Sequence, residues 1–318
     1  MTSWSLGPFT RHDGPILGPR PELAFRCPLS DRTIAWAAKD VFNPAAVVHD
    51  GRVHLLFRAE DHDGPFAGTS RLGLAVSDDG IQFDVEPEPV LFPADDAFRA
   101  LEWPGGCEDP RLVASPDGGF VCTYTAFEGT TAVLCVATSP DLRSWTKHGP
   151  AFAGTVHEPR WSKSGGVVTA LDGDRLVATR VAGRFWMYWG EGVCFAATSD
   201  DLVRWTPVEL DSGADRRLEL TDDGWRVHRL PGADALRPIL VPRPGRFDSL
   251  LVEPGPPAVL TDDGIVLVYN GANHPSRGDT SLAPRAYQPG QALFDPLEPG
   301  SPIARSTAGS HSTRAPTR

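Results

Sequence analysis

Apolar runs of strand length, broken by glycine- and aspartate-rich turns, recur along the whole chain, and no stretch sustains the period of a long amphipathic helix. Four pairs of such runs flank tight turns: residues 45–48 and 53–57 around His49-Asp50-Gly51, 111–114 and 120–124 around 115–119, 167–171 and 176–179 around Asp172-Gly173-Asp174, and 258–261 and 265–269 around Asp262-Asp263-Gly264. Asp-Gly between alternating runs predicts β-hairpins. A second pattern is interleaved with these. Ser77-Asp78-Asp79 returns as Ser139-Pro140-Asp141 after 62 residues and as Ser199-Asp200-Asp201 after a further 60. Apolar runs at 72–76, 132–137 and 193–197 precede the three, and Phe83, Trp145 or Trp205 follows. Serine and aspartate side chains bond nearby backbone, which predicts a turn, and the aromatic is expected to fold back into the core. Hairpin, strand, Ser-x-Asp turn and strand make a four-stranded unit. Its repetition predicts a β-propeller of at least four blades, with a fifth drawn from the chain ends. A β-sandwich accounts less well for one turn recurring at near-equal spacing. No linker divides the chain, so residues 1–305 read as a single domain, with 231–244 a proline-rich insertion inside the fourth unit.

Composition narrows the classes of function. Of 318 residues, 41% are apolar and 22% charged, which is ample for a core and too little charge for a disordered chain. The net charge of −11 opposes nucleic-acid binding, which needs a basic face. With 32 glycines and 31 prolines the chain is turn-rich. No run approaches the ~18 apolar residues of a membrane span, and residues 1–20 lack the pattern of a secretory signal. Cys27, Cys107, Cys122, Cys135 and Cys194 are odd in number and form no C-x-x-C pair, which predicts a reduced, cytoplasmic protein. The nine histidines show no ligand spacing, and no glycine-rich phosphate loop follows a strand, so neither a metal nor a cofactor is implied. Oligomeric state is left open.

The innermost strand of each blade lines a propeller's channel, so the residues just before each hairpin are candidate site residues. They are Asn43-Pro44, Glu108-Asp109-Pro110-Arg111, Lys163-Ser164-Gly165 and Glu253-Pro254-Gly255. A ring of fixed donors and acceptors suits a polyhydroxyl ligand such as an oligosaccharide. Two carboxylates from different blades, here Asp109 and Glu253, meet a requirement of glycoside hydrolysis: an acid for the leaving oxygen and a base for water, about 6.5–9.5 Å apart in inverting enzymes. Both residues also read as ordinary loop carboxylates beside proline. Trp103, Trp161, Trp186, Tyr188 and Trp189 fall near the expected channel, as stacking surfaces for a sugar or as core.

Trp103-Pro104-Gly105-Gly106-Cys107-Glu108-Asp109-Pro110-Arg111 resembles the Gly-x-Glu-Asp-Pro-Arg signature of glycoside hydrolase family 130. The likeness runs from about Asn43 to Arg305. It takes in Phe57-Arg58-Ala59, the run from Ser70 and Arg71 to Ala75, the Ser-x-Asp repeats, Glu253-Pro254-Gly255-Pro256-Pro257 and Tyr269-Asn270-Gly271. The resemblance implies a five-bladed β-propeller acting on short β-mannosides, by inverting phosphorolysis in many members and inverting hydrolysis in others. It implies that Asp109 is the proton donor, and that Asn43, Arg58, Arg71, Glu108 and Arg111 surround the sugar, joined by Lys163, Tyr188 and Asn270. Arg58 and Arg71 can instead pair with Glu60, Asp61 or Asp78.

Phosphorolysis needs convergent cations for a dianion, whereas hydrolysis needs a carboxylate base. The family's phosphorylases carry Tyr-His-Gly where this chain has Tyr269-Asn270-Gly271, and a basic, glycine-rich stretch where it has Leu250-Leu251-Val252-Glu253-Pro254. The resemblance therefore favours hydrolysis, with Glu253 or Glu191 as base. Lys163 points the other way, as a phosphate ligand, or pairs with Glu191 or Glu253. Inorganic phosphate enters as co-substrate only under the phosphorylase reading, and a non-catalytic sugar-binding propeller is the third alternative. Residues 287–305 resemble the outer part of the family's penultimate blade. The segment 306–318 has no apolar strand and reads as a disordered tail, leaving the last blade incomplete unless residues 6–36 supply its strands.

Overall fold

The computed structural model describes residues 4–66, 68–158, 160–210, 217–221, 224–228, 236–309 and 313–314. The fold is an all-β, five-bladed propeller; among the described residues its one helix is the short Arg99–Glu102. Blade 1 is an antiparallel meander of Asp40–His49, Arg52–Glu60, Ser70–Ser77 and Asp84–Val85. Blade 2 repeats it with Gly106–Ala114, Phe120–Phe127, Ala132–Ser139 and Thr146–Pro150. Blade 3 comprises Gly166–Asp172, Arg184–Trp189, Cys194–Ser199 and Thr206–Pro207. In blade 4 the inner strand is split into Leu251–Pro254 and Ala258–Thr261, followed by Gly264–Ala272, Tyr287–Phe294 and Pro302–Arg305. An N-terminal hairpin, Arg20–Cys27 with Arg32–Ala37, lies against the outer face of blade 1 in the place of a fifth blade.

Alternation along each strand gives every blade two apolar faces, and the core is a series of layers between neighbours. Leu56, Leu72 and Leu74 of blade 1 meet Leu112, Cys122 and Tyr124 of blade 2. Val121 and Leu134 meet Met187, Trp189 and Trp205 across the next interface. Tyr188 and Cys194 meet Leu267, Tyr269 and Phe294 across the third. Trp36 of the hairpin stacks on Phe57 of blade 1.

The Ser-x-Asp turns are built alike. Asp79 Oδ1 accepts the backbone N–H groups of Ile81 and Gln82, Asp141 Oδ1 those of Arg143 and Ser144, and Asp201 Oδ1 those of Val203 and Arg204. The next residue is left-handed in all three: Gly80 at φ 72°, Leu142 and Leu202 both at 65°. Leucine tolerates that conformation because its side chain is buried in the interblade layer, and the indoles of Trp145 and Trp205 donate to the carbonyls of Leu142 and Leu202.

The third hairpin forms, but not as the first two strands of a blade. Only Gly166 and Val167 pair with the second strand of blade 3, at Tyr188 and Met187. Beyond them Val168–Ala170 runs parallel to Ala258–Leu260 of blade 4, and Val177 on the returning strand Arg175–Ala178 lies beside Ala114 of blade 2. The turn signal fixed a hairpin; its partners are remote in sequence and left no local mark. Of the expected insertion, 231–235 lies outside the described residues, and Pro238–Leu240 pairs with Cys194–Ser199. Of the expected tail, 310–312 and 315–318 lie outside them, and Thr313–Arg314 pairs with Thr10–Arg11. Among the described residues no helix is long and apolar enough to cross a membrane.

Candidate active site

The inner strands of blades 1 and 2 each carry an irregularity at the same place, between Phe42 and Ala45 and between Glu108 and Arg111. Its cause is a left-handed residue before proline: Asn43 and Asp109 both sit at φ 47°. Asparagine and aspartate are the residues that accept this conformation most readily, and the kink turns both side chains toward the channel. Asn43, Asp109, Arg111, Lys163, Glu191, Glu253 and Asn270 all line one cavity of about 770 Å³. Asn270 stands opposite Glu253 in the blade 4 ladder.

Asp109 is the most densely held of these groups. Asn43 Nδ2 donates to its Oδ1 at 2.7 Å and Arg58 Nη1 donates to the same oxygen at 3.0 Å. Lys163 Nζ stands 3.7 Å from Asp109 Oδ2 and 3.7 Å from Glu108 Oε2. Arg58 also binds Glu108 at 3.0 Å, Glu60 at 2.6 Å and Ser70 Oγ at 2.9 Å, with its guanidinium over the Phe42 ring. Burial works to raise the pKa of Asp109, but Arg58, Lys163 and Asn43 outweigh it and hold the carboxyl below its ordinary value. Glu108 shares Arg58 and Lys163, lacks the Asn43 bond, and is pushed above its ordinary value by burial.

Glu253 belongs to the opposite wall. Ser164 Oγ donates to its Oε1. Burial raises its pKa, and the charges of Glu191 and Asp109 add to the rise against the opposing pull of Ser164 and Arg111. Glu191 lies in the turn after the strand Arg184–Trp189 and accepts the indole N–H of Trp161 at 3.1 Å. Arg111 is committed to backbone: Nη1 to the Pro110 carbonyl at 3.1 Å and Nη2 to that of Pro254 at 3.2 Å. Lys163 therefore pairs with Asp109 and Glu108 rather than with Glu191 or Glu253.

Two expected residues lie elsewhere. Arg71 stands opposite Ala59 in the blade 1 ladder, so it faces away from Arg58, toward the N-terminal hairpin. There it is buried, ion-paired with Asp61 and over the Phe25 ring. Tyr188 is buried between blades 3 and 4, stacked on Phe294, with its hydroxyl donating to the Pro299 carbonyl. Trp189 is core, and Trp186 packs against the layer between blades 3 and 4. Trp161, 51% exposed, stays beside the site. Sequence reasoning missed Tyr287, 59% exposed in the cavity wall, and Leu176 of the inserted hairpin, which also lines it. The alternative pairing of Arg58 with Glu60 and of Arg71 with Asp61 is present, whereas the contact of Arg58 with Ser70 was passed over. Tyr287 opens a strand that carries no charge pattern, so nothing local marked it.

The model of the glycoside hydrolase family 130 sequences, described as β-1,4-mannooligosaccharide phosphorylase, matches residues 28–308. The chain belongs to glycoside hydrolase family 130. It is 30% identical over 278 residues to a 1,2-β-oligomannan phosphorylase of Thermoanaerobacter sp. (strain X514), covering 85% of this chain and 74% of that one. Its structure is similar to that of a glycosyl hydrolase from Bacteroides ovatus, with TM-score 0.87, 42% identity, and coverage of 97% of this chain and 83% of that one. A further structure at TM-score 0.87 and 42% identity, covering 97% of this chain and 82% of that one, is described as showing that the family of mannoside phosphorylases contains glycoside hydrolases that target β-1,2 mannosidic linkages in Candida mannan. Membership makes the chain an enzyme of a family of β-mannoside phosphorylases and hydrolases.

Proposed function

We propose that the chain is an inverting glycoside hydrolase acting on short β-mannosides, β-1,2-linked, with Asp109 as general acid and Glu253 or Glu191 as general base. The observation that carries this reading is the charge balance of the cavity. Three carboxylates (Asp109, Glu191 and Glu253) line it against two cations: Arg111, which donates to backbone carbonyls, and Lys163, which stands 3.7 Å from Asp109 and Glu108. A phosphate dianion placed there would be repelled by these carboxylates, which outnumber the lining cations. The β-1,2 linkage is supported by the descriptions of two relatives, while the family model is described by a β-1,4 linkage.

In the reaction Asp109 delivers its proton to the glycosidic oxygen, directly or through a sugar hydroxyl, as the bond from that oxygen to the anomeric carbon breaks. Water attacks that carbon from the opposite face and gives its proton to Glu253 or Glu191. Arg58 and Lys163 hold Asp109 toward its ionised form, and burial holds Glu253 toward its protonated form. The productive state has the proton on Asp109 and a charge on the base. It is thus a minor form of the free enzyme, and a ligand that separates Lys163 from Asp109 raises its share.

The alternative, a phosphorylase releasing mannose 1-phosphate, draws on the 30%-identical curated relative and on Lys163. Proton NMR of a digest of β-1,2-mannobiose tests the proposal. Free α-mannose as the first-formed anomer is expected, while mannose 1-phosphate as the product would overturn it.

A further inference from the structure

Blade 3 repeats the device that places Asn43 and Asp109. Its inner strand begins after Ser164, which is left-handed at φ 55°, against 47° for Asn43 and Asp109. In three successive blades a short polar residue thus adopts a conformation that most L-residues avoid, just before or within the inner strand. In blade 1 the side chain so aimed, Asn43, bonds the carboxylate of Asp109. In blade 3 Ser164 bonds the carboxylate of Glu253, across from blade 3 to blade 4.

The backbone around Ser164 is fixed on both sides. The carbonyl of Lys163 accepts the Gly190 N–H at 2.9 Å, and the carbonyl of Gly165 accepts the Thr123 hydroxyl at 2.6 Å. A Cβ on Gly165 would lie 2.7 Å from Met187 Sδ, and one on Gly166 would lie 3.2 Å from the Pro256 carbonyl. The segment is therefore tied by hydrogen bonds to blades 2 and 3 and packed against blade 4. Ser164 is 1% exposed, so water does not compete for its hydroxyl.

We propose that Ser164 is a positioning residue for the reaction: its hydroxyl, held by the clamped left-handed turn, orients Glu253 and stabilises its ionised form as the base. This rests on the hydrolase reading above and singles out Glu253 from the two candidate bases. Glu191 has no comparable support, its partner being a half-exposed indole. The charged and titratable groups around Glu253 are Arg111 and Asp109 from blade 2, Lys163, Glu191 and Cys194 from blade 3, and Tyr287 from blade 4. None of them replaces the hydroxyl, since Arg111 is bound to backbone and Lys163 to the acids opposite.

Ser164→Gly removes the hydroxyl and keeps a residue that suits the backbone, and Ser164→Ala retains the Cβ as a second variant. Two readouts are taken on each: kcat/KM for β-1,2-mannobiose between pH 4 and pH 9, and the titration of the Glu253 carboxyl by NMR of glutamate-labelled protein, its resonance assigned with Glu253→Gln. A hydrogen bond to a charged group is worth enough to move a titration by roughly one to two pH units. Glu253 should therefore titrate higher by that amount. The rate should fall about 10- to 100-fold on the acidic side, and the loss should close as the pH rises until Glu253 is ionised in both proteins. An equal loss at every pH would mark Ser164 as merely structural and overturn the proposal, as would an unmoved titration. A moved titration with an unmoved rate profile would instead remove Glu253 as the base, and its positioning residue with it.

Discussion

Replacing Arg58 with methionine tests how the acid side of the site is held. The guanidinium lies within 3.0 Å of oxygens on Glu60, Glu108 and Asp109 and is 13% exposed. Methionine keeps most of the packing over Phe42 and leaves Glu108 and Asp109 with Lys163 as cation, at 3.7 Å, while Asp109 keeps the Asn43 bond. Breaking a buried ion pair from one side costs about 3–5 kcal/mol. For a chain of 318 residues that corresponds to a fall in Tm of roughly 4–8 °C. The sign of the pH dependence follows from the carboxyls. Asp109 has a lowered folded pKa, so its contact with Arg58 adds stability above its unfolded pKa of about 3.9, and this is lost as the pH falls through the folded value. Glu108 has a raised folded pKa, so keeping it charged costs stability that protonation returns as the pH falls. Without Arg58 both carboxyls protonate more readily, and the penalty of Arg58→Met should shrink between pH 7 and pH 4. Scanning fluorimetry at the two pH values measures it. A loss below 2 °C at pH 7, or an equal loss at both, would refute the reasoning. Arg58→Lys should fall between the wild type and Arg58→Met, because it keeps a charge and loses the fork.

Asp109→Asn should lower kcat by about 10²–10⁴ on β-1,2-mannobiose and by much less on a dinitrophenyl β-mannoside, whose leaving group needs no proton; equal losses on the two substrates would remove Asp109 as the acid. Gly73→Ala places a Cβ 2.4 Å from Phe57 and 2.5 Å from Trp36, so it should cost about 1–3 kcal/mol and raise proteolysis within residues 20–37, where an unchanged digest would show that Gly73 does not lie at a critical contact between hairpin and blade 1. Asp141→Ala and Asp201→Ala remove carboxylates that backbone N–H groups hold below the ordinary range against the raising effect of burial. Their effect on Tm should be present at pH 7 and vanish as the pH falls through the folded pKa, and a pH-independent loss in urea or thermal unfolding would contradict this.

The blades were legible because each is sequence-local: a meander of adjacent strands joined by turns whose Ser, Asp and Gly have their own chemistry. The pairing of the third hairpin with Ala258–Leu260 and Ala114 was not, since parallel neighbours so far apart leave no turn between them. Asp109, Glu253 and Asn43 were legible through position, at the start of inner strands. Arg58 and Arg71 looked alike in the sequence, and only the register, which sets Arg71 opposite Ala59, sends them to opposite faces. Tyr188 followed the same rule, one face of its strand being interblade core. The titration directions were out of reach, since they depend on which of two neighbouring carboxylates also receives the Asn43 bond.

The phosphate dependence of turnover tests the central claim most directly. Purified protein is incubated with β-1,2-manno-oligosaccharides, with and without inorganic phosphate, and the released sugars are separated. A cavity in which three carboxylates outnumber two cations predicts free mannose at the same rate in both samples. Mannose 1-phosphate formed only when phosphate is present would contradict the account and make Lys163 part of an anion site.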